Sequence, residues 1–126
     1  MPVPSKVRES CRPFLAEGDV VQYVFPGTSL ILGGMAAQHS FLVVVTDRHV
    51  TVLACSRFRR SRPKSVWEQL PRTTELGPVD VHPSLGPTVS FGGLVLEIDE
   101  EYVPAIRAAD LERGGVGLPD DPLPGL

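Results

Sequence analysis

Residues 41–58 read FLVVVTDRHVTVLACSRF. Two apolar, largely β-branched runs, Phe41 to Val45 and Val50 to Cys55, flank a polar corner at Thr46-Asp47-Arg48-His49. Runs of this length and composition, bounded by turn-forming residues, make strands. The segment is therefore expected to be a β-hairpin at the centre of a sheet. In its second arm Val50, Val52 and Ala54 face one way, and Thr51, Leu53 and Cys55 the other. Apolar groups on both faces suit a strand that is covered on each side. The hairpin leaves directly into Ser56 to Lys64, which carries five basic residues (Arg57, Arg59, Arg60, Arg62, Lys64) and no acid.

On the N-terminal side, Ser5 is placed to cap a short helix with Val7, Cys11 and Phe14 on one face, which Pro13 ends. Leu15-Ala16-Glu17-Gly18-Asp19 then turns the chain into VVQYVF. Alternation puts Val21, Tyr23 and Phe25 on one side of this strand, opposite Val20, Gln22 and Val24. Pro26-Gly27 is expected to break it. Thr28 to Ala37 reads as a further strand with a loop through Gly33-Gly34.

On the C-terminal side, Pro63 is placed to open a short helix, KSVWEQL, anchored by Trp67 and Leu70 and stopped by Pro71. Arg72 to Val81 reads as extended, and His82 to Pro87 as a turn-rich connection. Thr88 to Asp99 is a second hairpin, because Gly92-Gly93 supplies the positive φ angles of a tight hairpin turn. Glu100 to Glu112 forms a last helix with Tyr102, Ile106 and Ala109 on one face, and Pro104 limits where it begins. The Gly- and Pro-rich residues 113–126 read as a disordered tail.

At 126 residues, 42% hydrophobic and 21% charged, the chain has room for one domain with a single core. The net charge of −3 argues against whole-molecule attraction to nucleic acid. Charge is nevertheless unevenly placed. The basic run at 56–64 is followed, from Glu97 onward, by eight acids against Arg107 and Arg113. Such asymmetry orients partners or a second copy of the chain. Two distant cysteines, Cys11 and Cys55, and an N-terminus without an apolar signal core fit a reduced, cytoplasmic setting with both thiols buried. No segment has the roughly 20 uninterrupted apolar residues that a transmembrane helix needs.

The sequence Leu15-x-x-Gly18-Asp19-x-Val21, followed by Val43-Val44-Val45-Thr46-Asp47-Arg48-His49-Val50, resembles the start and core hairpin of bacterial pleckstrin-homology-like (PH-like) domains. Ser56-Arg57-Phe58-Arg59 through Arg62-Pro63-Lys64, with Leu70-Pro71-Arg72 and Leu76-Gly77-Pro78, is similar to uncharacterised actinobacterial members of that group. The likeness runs from about Leu15 to Asp110. It implies a mainly β fold: a strongly bent, partly open barrel of about seven strands capped by a C-terminal helix. Residues 1–14 would then be an N-terminal helical segment, 15–112 the barrel domain with its capping helix, and 113–126 the tail. PH-like domains bind phosphoinositides, peptides or proteins. The lipid-binding eukaryotic type uses a basic loop between its first two strands, and the matching region here, Pro26 to Gly34, has no basic residue.

The strongest candidate site is the basic rim Arg57, Arg59, Arg60, Arg62 and Lys64, with Trp67 beside it as an apolar contact. Arginine forks pair with carboxylates or phosphates in two-pronged fashion, and tryptophan and arginine are favoured at interface hot spots. The expected function is a non-enzymatic binding module that contacts a protein or another anionic partner. Peripheral contact with an anionic membrane surface and homo-oligomer formation fit the same charges, whereas one aromatic beside the basic run is a poor platform for specific nucleic-acid binding. Two alternatives remain. One is a barrel that carries a small molecule or lipid, with Val21, Tyr23 and Phe91 lining a cavity; the other is a self-associating structural domain. His39, His49 and His82 are scattered and, with the two cysteines, form no zinc pattern. No P-loop, dinucleotide fingerprint or nucleophile elbow is present, so no catalytic, metal or cofactor-binding residue is expected.

Overall fold

The computed structural model describes residues 5–32, 35–55, 62–82 and 86–112. The central hairpin forms as expected: β2 (Met35–Thr46) pairs antiparallel with β3 (His49–Cys55) from Phe41 opposite Ala54 to Val45 opposite Val50. On the other side of β2 lies β1 (Val21–Leu32), paired from Val21 opposite Thr46 to Leu32 opposite Met35. β4 (Pro63–Pro71) adds to β3. β5 (Asp80–His82), β6 (Gly86–Phe91) and β7 (Leu94–Glu97) form an antiparallel meander whose last strand joins β1. The result is one antiparallel sheet of seven strands in the order β4-β3-β2-β1-β7-β6-β5, open between β4 and β5.

The sheet curls on itself. Gly92 and Gly93, at φ +58° and +78°, make the tight β6–β7 turn, and that turn lies against β4. A Cβ on Gly92 would sit 2.7 Å from Glu68 Oε1 and 3.0 Å from Leu70 Cδ1. Inside the curl, Phe25, Phe41, Val43, Val45, Val50, Val52, Val89, Phe91, Leu94, Leu96 and Ile98 form one buried core. Helix α2 (Val103–Leu111), preceded by a 3₁₀ turn at Glu100–Tyr102, plugs this core with Ile106 and Ala109. Its Asp110 carboxylate accepts from two successive backbone amides, Leu76 and Gly77, each at 2.8 Å, and so ties the helix to the segment before β5.

The outer face has a smaller core. Helix α1 (Ser5–Cys11) and a 3₁₀ turn at Arg12–Phe14 lay Val7, Cys11, Phe14 and Leu15 over Val24, Leu42, Val44, Leu53 and Cys55. This is why β3 is apolar on both sides: Val50, Val52 and Ala54 belong to the inner core, Leu53 and Cys55 to the outer one.

Three local expectations are corrected. KSVWEQL is strand, not helix. Ser65, Val66 and Trp67 suit a strand as well as a helix, and pairing with β3 satisfies backbone groups along a whole buried strand edge, which outweighs the i, i+3 spacing of Trp67 and Leu70. Pro26-Gly27 does not break β1, which runs through both residues. β7 pairs with β1 only at Thr28 and Ser29, so the missing Pro26 N–H falls where one side of β1 carries no ladder. Gly27 in turn admits the Leu96 and Ile98 side chains, which would lie 3.2 and 3.0 Å from a Cβ there. Lastly, Val21 does not share a face with Tyr23 and Phe25. A register shift between Val21 and Tyr23 turns Val21 to the outer core, while Tyr23 and Phe25 stay with the inner one. The expected Gly33-Gly34 loop and the tail 113–126 lie outside the described residues.

Candidate functional site

Of the expected rim, Arg62, Lys64 and Trp67 are described; Arg57, Arg59 and Arg60 lie outside the described residues. Arg62 immediately precedes β4 and Lys64 is its second residue, and both are exposed. Neither makes an ion pair with any described residue, where the only pairs are those of Asp19 with Arg48 and His49. β4 is an edge strand, so among the described residues its outward N–H and C=O groups have no ladder partner.

Trp67 is the extra residue of a β-bulge, between Glu68 opposite Val52 and Val66 opposite Leu53. The bulge aims its ring at Phe41, edge to face, with centroids 5.4 Å apart and planes at 71°. Phe41 is fully buried and also meets the His39 ring at 5.2 Å. Trp67 nevertheless stays 45% exposed, as does Val66. It is a held aromatic, one face packed and one in solvent. The sequence marked Trp67 as an apolar contact; the bulge that fixes it has no local signal.

A second feature was not anticipated. Where β1 and β7 part company beside Pro26, an open groove of about 260 Å³ is lined by Pro26, Gly27, Thr28, Ser40, Glu97 and Asp99. Its hydroxyls and carboxylates give it the sign opposite to the rim. The i, i+2 spacing of Glu97 and Asp99 puts both on the outer face, since Leu96 and Ile98 point inward; only the β1–β7 pairing could have shown that Thr28 and Ser40 join them.

The polar corner proves to be a structural lock. The Asp19 side chain is fully buried, and its carboxylate is met by Thr46 Oγ1 at 3.1 Å, Arg48 Nε at 3.0 Å and His49 Nδ1 at 2.9 Å. Burial alone pushes this carboxyl up. Hydrogen bonds from His49 and Thr46 and the charges of His49 and Arg48 outweigh it and hold the group below the ordinary aspartate range. Thr46 Oγ1 also accepts from the Arg48 and His49 amides, and Asp47 Oδ1 accepts from Val20 N at 2.8 Å. The segments Gly18-Asp19 and Thr46-Asp47-Arg48-His49 thus bind each other.

Other polar groups also serve the fold. Tyr23 donates to Glu112 Oε2 at 3.1 Å, and buried Arg72 donates from Nε to Gln22 Oε1 at 3.3 Å. Val21, Tyr23 and Phe91 do not lie on one face: Val21 packs on the outer core, Tyr23 at the margin of the inner core and Phe91 within it. Cys11 and Cys55 are both buried as free thiols. Among the described residues, no group of three His, Cys, Asp or Glu is arranged to hold a metal ion, and no helix is long and apolar enough to cross a membrane. The chain matches no family model, no curated protein and no solved structure.

Proposed function

We propose that this chain is a PH-like, non-enzymatic binding module that takes an acidic protein segment or another anionic partner on the rim running from Arg57 to Trp67. The observation that carries this reading is the pairing of two properties on β4. Arg62 and Lys64 are exposed cations without a described counter-ion, and Trp67 stands three residues beyond Lys64, rigidly packed yet half in solvent. Unpaired cations steer an anionic partner and align it. A pre-packed aromatic loses little conformational freedom on contact, which is what an anchor residue requires. The seven-strand open sheet with its C-terminal helix, and the mutual contact of the two resemblance motifs, support the PH-like assignment. The reduced thiols of Cys11 and Cys55 are in keeping with a cytoplasmic location.

The test is capture by chemical crosslinking, comparing the native chain with an Arg59→Ser/Arg60→Ser/Arg62→Ser variant and with Trp67→Ala. Loss of the same captured partner in both variants, with thermal melting of the arginine variant unchanged, is the expected result. Equal recovery by the arginine variant removes the proposal.

A further inference from the structure

The groove beside Pro26 and the cationic start of β4 carry opposite charge, and neither meets its complement within the described chain. Glu97 and Asp99 line the groove together with the hydroxyl-bearing Thr28 and Ser40. Among the described residues the only ion pairs are those of Asp19, so Glu97, Asp99, Arg62 and Lys64 all lack one. The order of the sheet gives the reason. Strands β3, β2 and β1 stand between β4 and β7, which sets the two patches about 19 Å apart along the sheet.

Each patch is also shaped for contact. The groove is an open concavity of about 260 Å³, formed because β1 and β7 pair only at Thr28 and Ser29 and then diverge. Pro26 and Gly27 give it an apolar side, and two carboxylates with two hydroxyls give it acceptors. An arginine or lysine side chain has the matching division, an apolar stem and a head that only donates. On β4, Ala54 faces Ser65 and Cys55 faces Pro63, so Lys64 is the extra residue of a second bulge and stands outside the ladder. Arg62 immediately precedes Pro63, and both cations are exposed.

We infer that the Glu97–Asp99 groove of one copy receives the Arg62–Lys64 start of β4 from a second copy, in a head-to-tail contact. This rests on the reading of the rim as an anion-binding surface and names the acceptor that the rim takes. Donor and acceptor patches differ, so every docked copy keeps one of each unused. Association of this kind continues into rings or open chains instead of ending at a dimer. A small contact dominated by charge is weak and sensitive to salt.

The experiment is sedimentation velocity of the full chain from about 10 to about 500 μM, where weak contacts assemble. It is run at about 20 mM and about 500 mM NaCl, which bracket the about 0.1 M at which charges more than about 10 Å apart are screened. At low salt the mean mass of the native chain is expected to rise with concentration past that of a dimer, and at high salt to return to monomer. Arg62→Ser/Lys64→Ser and Glu97→Gln/Asp99→Asn are each expected to weaken association at least about tenfold. Mixed in equal amounts, the two variants hold one intact rim and one intact groove between them. The mixture is expected to form a dimer of native affinity that grows no further. Circular dichroism verifies the folding of each variant. A native chain that stays monomeric at low salt overturns the inference, as does association indifferent to salt or to either variant, or a mixture that stays monomeric. If self-association fails while crosslinked capture of a different protein still depends on Arg62, only the head-to-tail contact falls. If capture too is indifferent to Arg62, the rim reading falls with it.

Discussion

Arg48 sets its Nε 3.0 Å from Oδ1 of Asp19, a residue 29 positions earlier in the chain, and the same guanidinium donates to the Glu17 carbonyl oxygen. This contact pins the turn before β1 to the β2–β3 corner. It also explains the glycine between the two acids. Gly18 has φ +87°, and a Cβ there would sit 2.8 Å from Arg48 Nη2.

Gly18→Ala therefore combines a disfavoured backbone with displacement of an ion-pairing side chain. The expected loss is about 2 kcal/mol or more, against about 1 kcal/mol for Gly93→Ala, which carries only the backbone term. Gly93 also has positive φ, +78°, but a Cβ there meets nothing within 4 Å. Urea unfolding of the two variants, read as midpoint shifts at constant slope, checks the difference.

Asp19 should govern acid stability. Its carboxyl titrates lower in the folded chain than the ordinary value of 3.8, so on acidification the unfolded chain takes up the proton first. The stabilisation is complete above pH 3.8 and disappears as pH falls through the depressed folded value. Asp19→Asn is expected to cost about 2 kcal/mol near neutrality, a figure discounted because Arg48 and His49 are partly in solvent. The same variant should flatten the stability profile below pH 3.8. Denaturant titrations across pH 2.5 to 7, a range of about the width over which carboxylates titrate, measure both effects.

Thr51 offers the reverse outcome. It is fully buried on β3, and among the described residues its Oγ1 has no hydrogen-bond partner. Valine keeps the shape and the branching while removing the unpaired hydroxyl. Thr51→Val is expected to stabilise the protein by about 1 kcal/mol, seen as a higher melting temperature with unchanged spectra.

The thiols should be inert until the chain unfolds. Burial, with a smaller contribution from Cys11, pushes the Cys55 thiol up to about 12, and burial raises Cys11 against the opposing charge of Arg8. At pH 8 the Cys55 thiolate fraction is then about a thousandfold lower than for a free thiol. Alkylation followed by mass spectrometry is expected to find both cysteines unlabelled in the native protein and both labelled in denaturant.

How far these features could be read in advance follows from the range over which each acts. Alternation along FLVVVTDRHVTVLAC and the Gly92-Gly93 turn are local patterns, and both hairpins stand as expected. So does the division of β3 between two cores. The identity of β4 was decided elsewhere in the chain: Ser65, Val66 and Trp67 accept either conformation, and β3 supplied the hydrogen bonds that selected strand. Likewise Asp19 has no local mark of an ion-pair acceptor, because its partners Arg48 and His49 come from another hairpin.

By itself, then, the order of residues determined a mainly β chain with a central two-faced hairpin, a late helix and a cationic run beside a tryptophan. Alternation, turn glycines and charge are properties of neighbours, and neighbours are what a sequence displays. Tertiary structure alone decided which edge stays open, where Trp67 points, and that Gly18-Asp19 meets Thr46 to His49. Those depend on hydrogen-bond ladders and buried charge between segments far apart in the chain, whose pairing is selected only when the whole sheet closes over its core.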